Sequence, residues 1–80
     1  MTFLAVAVKL GNKLKVARAE QNLSQEQLAR LVDVTRQTIS SIETGQYCPS
    51  ALLAFRLAKQ LHKSVDELFF LQGASDEHDS

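Results

Sequence analysis

Apolar and polar positions follow two different periods along this chain. Residues 3–8 set Leu4, Val6 and Val8 against Phe3, Ala5 and Ala7, a short strand-like run that is apolar on both faces. Gly11 and Asn12 then interrupt the chain, and Asn12 can cap the helix that follows. Residues 13–22 are good helix formers, with Leu14 and Ala17 on one face and Leu10 a turn earlier. Leu28, Leu31 and Val32 fall at the i, i+3, i+4 spacing of a helix packed on one side, and Ile39 with Ile42 makes the next inward stripe. The longest stripe is Leu53, Ala54, Leu57, Ala58 and Leu61.

Polar residues between the stripes supply starts and stops. Ser24 followed by Gln27, and Ser64 followed by Glu67, are two capping boxes, each opening a helix. Thr35 and Ser50 are placed as N-caps of the third and fourth helices. Gly45 suits the left-handed position that closes the third helix, and the fourth runs to Leu61. A short fifth helix reaches about Phe69, and the chain from Gly73 is a polar tail. The pattern predicts an all-α domain of five helices, with room for a short β-ribbon drawn from the two chain ends.

Composition narrows the class. Eighty residues make one domain, near the small end of what buries a self-sufficient core. The single Cys48 allows no internal disulfide, so a reducing cytoplasm is the expected home. The opening residues lack a basic n-region and are cut short by Lys9, unlike a signal peptide. No run approaches the roughly 20 apolar residues of a membrane span. The net charge of zero hides a division. All nine Lys and Arg lie within residues 9–63 against four acids, leaving that stretch at +5, while residues 64–80 hold five acids and no base. A polyanion meets local charge, so a neutral total does not exclude nucleic acid.

The second and third helices are short and joined by a tight turn, the spacing of a helix-turn-helix over residues 25–43. Counting Gln25 as first, Ala29 is fifth, where the helices cross closely and a larger side chain would force them apart. Leu28, Val32, Val34, Ile39 and Ile42 fall where the unit must bury apolar groups. Arg36, Gln37, Ser40 and Ser41 point away from that core and carry groups suited to base edges: Arg to guanine, Gln to adenine, Ser to either. Gln25 and Thr35 stand at helix N-termini, where amides and the macrodipole favour a phosphate.

The stretch from Ser24 to Gly45, with Pro49-Ser50 and Val65-Asp66-Glu67-Leu68-Phe69 after it, resembles the Cro/phage-repressor-like (Xre) family, in particular its small one-domain bacterial regulators. The resemblance covers roughly residues 12–70 and implies a lambda-repressor-like fold. It also implies a homodimer that regulates transcription, most simply as a repressor, at a palindromic operator. By position it assigns base reading to Arg36, Gln37, Ser40 and Ser41, and phosphate or supporting contacts to Gln25, Thr35 and Thr38. It assigns a buried ion pair to Arg18 and Glu43. The chain departs from the family where Asp33 and His62 replace the usual Gly residues, and in its longer apolar start over residues 2–8. The expected organisation is an apolar extension over residues 1–11, a DNA-binding domain over 12–71 and an acidic tail over 72–80.

Other chemistries find less support. Cys48 and His62 flank the fourth helix with no third group to orient the His and no oxyanion donors, so no enzyme is expected. His78 between Asp76 and Asp79 reads as part of an acidic tail before it reads as a metal site. No cofactor and no small-molecule effector domain is expected. The alternative to a regulator is a protein-interaction module, such as an antitoxin or coactivator-like adaptor. The two apolar ends point to a dimer interface of Leu4, Val6, Val8, Phe69, Phe70 and Leu71, because three consecutive large apolar residues cannot all face one interior.

Overall fold

The computed structural model describes residues 8–73. Its elements run β1 (Lys9–Asn12), α1 (Leu14–Glu20), α2 (Gln25–Leu31), α3 (Arg36–Glu43), α4 (Ala51–Gln60), α5 (Val65–Leu68) and β2 (Phe69–Gln72). Side chains start four of the helices. The Gln27 amide donates to Ser24 Oγ at 3.0 Å while Gln27 Oε1 accepts from the Ser24 amide at 2.8 Å, and Ser64 with Glu67 repeats the box. Thr35 Oγ1 accepts from the Thr38 amide and Ser50 Oγ from the Leu53 amide, each at 3.1 Å.

Helices α1 to α4 all end in the same way. Asn22, Asp33, Gly45 and His62 have φ of 58°, 63°, 81° and 58°. In each case the left-handed residue donates its amide to the carbonyl three back, and the next residue donates to the carbonyl five back, as Asp33 to Arg30 and Val34 to Ala29. This paired closure makes each connection short, and three of the four are made without glycine.

The core is one cluster drawn from every helix: Leu14, Ala17, Leu28, Ala29, Val32, Ile39, Ile42, Leu53, Leu57, Ala58, Leu61, Leu68 and Phe69. Leu31 does not join it and is 51% exposed, contrary to the stripe read from sequence. At 100° per residue it lies about 105° from the middle of the face formed by Leu28, Ala29 and Val32, past the edge of the buried surface. Ala54 and Val34 are half-buried against the cluster.

The chain ends form the ribbon, but not where the alternation placed it. β1 pairs antiparallel with β2, with Leu10 opposite Leu71 and Gly11 opposite Phe70. Gly11 and Asn12, expected to break the chain, are therefore strand residues. Gly11 has a reason to be glycine: a Cβ there would lie 2.7 Å from Cζ of Phe70 and 2.7 Å from Oε1 of Gln72, where those side chains close over the backbone. The N-cap of α1 is Lys13, which makes no side-chain cap bond, rather than the expected Asn12; Asn12 Oδ1 accepts from the Leu14 amide at 3.0 Å, and its Nδ2 donates to the Ile42 carbonyl at 2.9 Å. The expected strand residues Leu4 and Val6 lie outside the described residues; Val8 precedes β1 and is 41% exposed. Helix α5 stops at Leu68 because Phe69 turns extended, with φ −124° and ψ 147°, to enter the ribbon. Phe69 is 6% exposed and belongs to the core, which removes it from the expected dimer interface.

Candidate nucleic-acid interface

Helix α3 is held by its apolar side and shows its polar side. Ile39 and Ile42 are 0% and 1% exposed, and the small Ala29 of α2 is buried where α2 and α3 pack together. Gln37 lies nearly opposite the midpoint of the two isoleucines on the helix, with Ser40 and Ser41 to either side. Arg36 and Gln37 are exposed; Ser40, Ser41 and Thr38 are half-buried at the margins of the same face. Gln37 Nε2 donates to Ser41 Oγ at 3.4 Å, so these two residues already touch along the helix. The surface offers a guanidinium, an amide and two hydroxyls from one helix face.

The start of α3 favours negative charge. Arg36 is its first residue, no acid stands in its first turn, and the positive end of the helix dipole adds to the guanidinium. Thr35 Oγ1 is occupied by the cap and lies 3.0 Å from Thr38 Oγ1, so the two threonines brace each other beside that terminus.

Beneath the face lies the ion pair expected from the family resemblance. Arg18 Nε is 2.8 Å from Glu43 Oε2 and Arg18 Nη2 is 3.3 Å from Oε1, with side chains 15% and 6% exposed. Arg18 Nη1 donates to the Leu23 carbonyl at 2.9 Å, so α1, the α1–α2 turn and the end of α3 are tied at one point. Gln25, expected to contact phosphate, has two protein partners. Its Nε2 donates to Glu43 Oε1 at 3.0 Å and its Oε1 accepts from Arg36 Nη1 at 3.4 Å. Sequence reasoning missed this link, because nothing in the spacing of Gln25 to Glu43 reveals that the two ends of the motif meet.

Cys48 is exposed, its Sγ only 3.8 Å from the neighbouring Pro49 carbonyl, and His62 is the left-handed residue closing α4. Among the described residues no three His, Cys, Asp or Glu side chains are grouped to hold a metal ion, and no helix is long and apolar enough to cross a membrane. Asp76, His78 and Asp79, read from the sequence as part of an acidic tail, lie outside the described residues.

Two short helices crossing over a small residue, the second with an outward polar face, define a helix-turn-helix. The family profile described as helix-turn-helix matches residues 14–68. An uncharacterized HTH-type transcriptional regulator of Methanocaldococcus jannaschii is 48% identical over 61 residues, covering 76% of this chain and 92% of the relative. The restriction-modification controller protein C.AhdI of Aeromonas hydrophila superposes with a TM-score of 0.64 at 33% identity, over 68% of this chain and 82% of that one. The clp gene regulator ClgR of Corynebacterium glutamicum does so with a TM-score of 0.64 at 26% identity, over 68% of this chain but only 57% of its own. The chain belongs to the Xre/Cro-like helix-turn-helix family of DNA-binding transcriptional regulators.

Proposed function

We propose that this protein is a sequence-specific repressor, acting in the cytoplasm, that binds a palindromic operator as a homodimer with α3 in the major groove. The observation that carries this reading is the exposed Arg36 and Gln37 at the acid-free start of a helix whose opposite side is locked into the core. In this reading Arg36 and Gln37 reach base edges first and Ser40 and Ser41 follow, while Gln25, Thr35 and Thr38 support the phosphate side.

The dimer would form on the ribbon. Phe70 and Leu71, 39% and 69% exposed, lie on β2 of a sheet that has two strands among the described residues, and Val8, 41% exposed, leads into β1. Leu4 and Val6, outside the described residues, are proposed as part of the interface on their apolar character alone. Twofold symmetry makes such an interface isologous and sets the two recognition helices about 34 Å apart, one turn of the duplex. A gel shift against DNA upstream of the protein's own gene tests the function. Sedimentation of the full chain and of a deletion of residues 1–8 tests the dimer: the full chain should be dimeric and the deletion should weaken association. An unaltered dimer from the deletion would refute the N-terminal contribution.

One observation favours the adaptor reading. Leu52 and Phe55, 64% and 65% exposed one turn apart on α4, make an apolar patch that DNA does not need. If that patch were the main site, Leu52→Ala with Phe55→Ala would abolish regulation in cells while leaving operator affinity intact.

A further inference from the structure

We propose that Asn12 is a positioning residue that joins the terminal ribbon to the end of the recognition helix, and so fixes the half-site spacing that a dimer accepts. The proposal rests on α3 reading the groove and on the dimer forming on the ribbon.

Four elements meet at this half-buried residue. Asn12 ends β1, opposite Phe69 of β2. Its Oδ1 accepts from the Leu14 amide at 3.0 Å, one of the amides that the first turn of α1 leaves free. Its Nδ2 donates at 2.9 Å to the Ile42 carbonyl, in the last turn of α3 and 30 residues along the chain. The amide of Lys13 donates to the Leu68 carbonyl at the end of α5, again at 2.9 Å. A carboxamide has one accepting end and one donating end, so turning it over would lose both side-chain bonds.

The bond to Ile42 falls on the turn that carries Ser40 and Ser41. Among the described residues, the other bonds to the carbonyls of Ser40, Ser41 and Ile42 come from residues 44–47, the loop that closes α3. Those bonds travel with the helix. The bond from Asn12 is different, because it starts on the ribbon.

The ribbon in turn is held in one register. Phe70 and Gln72 close over Gly11, where a Cβ would lie 2.7 Å from Phe70 Cζ. A slip of one residue would bring a side chain to that position. Asn12 follows Gly11 directly, so the register that Gly11 permits also sets the place from which Asn12 reaches α3.

The consequence falls on spacing. In a dimer built on the ribbon, the distance and angle between the two copies of α3 depend on how each ribbon is joined to its own α3. One base pair added between half-sites moves one of them by about 3.4 Å and turns it by about 35°. A stiff joint rejects that change and a loose one accepts it.

The test uses the full chain and a duplex that it selects from a randomised library. That duplex is compared with versions in which one base pair is inserted or removed between the half-sites, and with a single half-site. Asn12→Asp keeps an acceptor for the Leu14 amide and sets a second oxygen against the Ile42 carbonyl, while Asn12→Ser offers one polar atom in place of two. The aspartate should melt higher than the serine, since a carboxylate beside the start of α1 favours its dipole. Both should nevertheless lose roughly three- to tenfold in preference for the selected spacing, with affinity for the single half-site close to the parent's. A ratio of affinities does not depend on the folded fraction, so lost stability alone leaves it unchanged. Leu71→Ser, sedimented beside the parent, should weaken the dimer.

A parent that binds every spacing equally, or a Leu71→Ser chain as dimeric as the parent, would overturn the ribbon dimer and the proposal with it. If the parent is selective, Leu71→Ser weakens association and both Asn12 variants keep the parent's spacing preference, the proposal falls while the dimer stands. Equal weakening on the single half-site and on every spacing would also overturn it and leave Asn12 a stabilising residue alone.

Discussion

Replacing Glu43 by Ala should cost this protein a large part of its stability. The substitution removes the acceptor of Arg18 Nε at 2.8 Å, of Arg18 Nη2 at 3.3 Å and of Gln25 Nε2 at 3.0 Å. Arg18 would remain beside an apolar core with one surviving bond, to the Leu23 carbonyl. Stripping one partner from a wholly buried pair costs about 3–5 kcal/mol. Here the Arg18 side chain is 15% exposed, and water can reach part of it. That places the expected cost at about 2–3 kcal/mol. In a domain of this size each kcal/mol moves the melting temperature by about 4–8 °C, so a fall of roughly 10–20 °C is expected.

Thermal melting followed by circular dichroism, with urea denaturation beside it, measures this directly. The pair need not be stabilising relative to apolar groups, since ions leave water at a cost. Arg18→Met combined with Glu43→Leu should therefore recover most of the loss, and may not be inferred from the single variants by addition. A Glu43→Ala protein melting with the parent would refute the reasoning, because the carboxylate would then contribute nothing where it is most enclosed.

Arg36→Ala and Gln37→Ala should each weaken specific binding by about 1–3 kcal/mol with folding unchanged, measured by gel shift and melting on the same preparations. Operator binding should weaken steeply with salt, with log K falling at about −0.9 per phosphate neutralised; a flat titration would show that the basic stretch is not the docking face. His62→Gly should stabilise by about 0.5–1 kcal/mol in urea, because glycine adopts the left-handed φ without strain, although it loses more chain entropy. Asp66 is held below the usual carboxylate range by the Ser64 hydroxyl, and Glu67 by the Ser64 backbone amide and then its hydroxyl. Groups depressed in the folded state stabilise fully above their unfolded values and lose that effect as pH falls through the folded ones, so melting temperature should drop below roughly pH 4, and Ser64→Ala should flatten that drop.

What the sequence makes legible here is what short-range rules decide. Ser24, Thr35, Ser50 and Ser64 each cap a helix because the amide they accept from is three residues away, and no distant partner has a say. Asp33 takes the left-handed turn that a glycine usually fills, at φ 63°, for a reason equally local to the residue. The ribbon was legible only as two apolar ends. Its register depends on β2, some 60 residues further along, and on Phe70 finding an opposite residue without a side chain. The alternation of residues 3–8 carries no information about that meeting.

The site divides along the same line. That Arg36 and Gln37 face outward follows from the positions of Ile39 and Ile42 in one helix. That Arg36 touches Gln25, and Gln25 touches Glu43, follows only from packing α2 and α3 around Ala29. The close crossing that the motif demands of its small fifth residue brings the first residue of α2 to both ends of α3. A bulkier residue at Ala29 would part the helices and lengthen the Gln25 contacts before it disturbed any exposed side chain. Ala29→Val should accordingly lose base discrimination at the Arg36 position together with stability, whereas a loss of stability with discrimination intact would show that Arg36 is oriented by α3 alone.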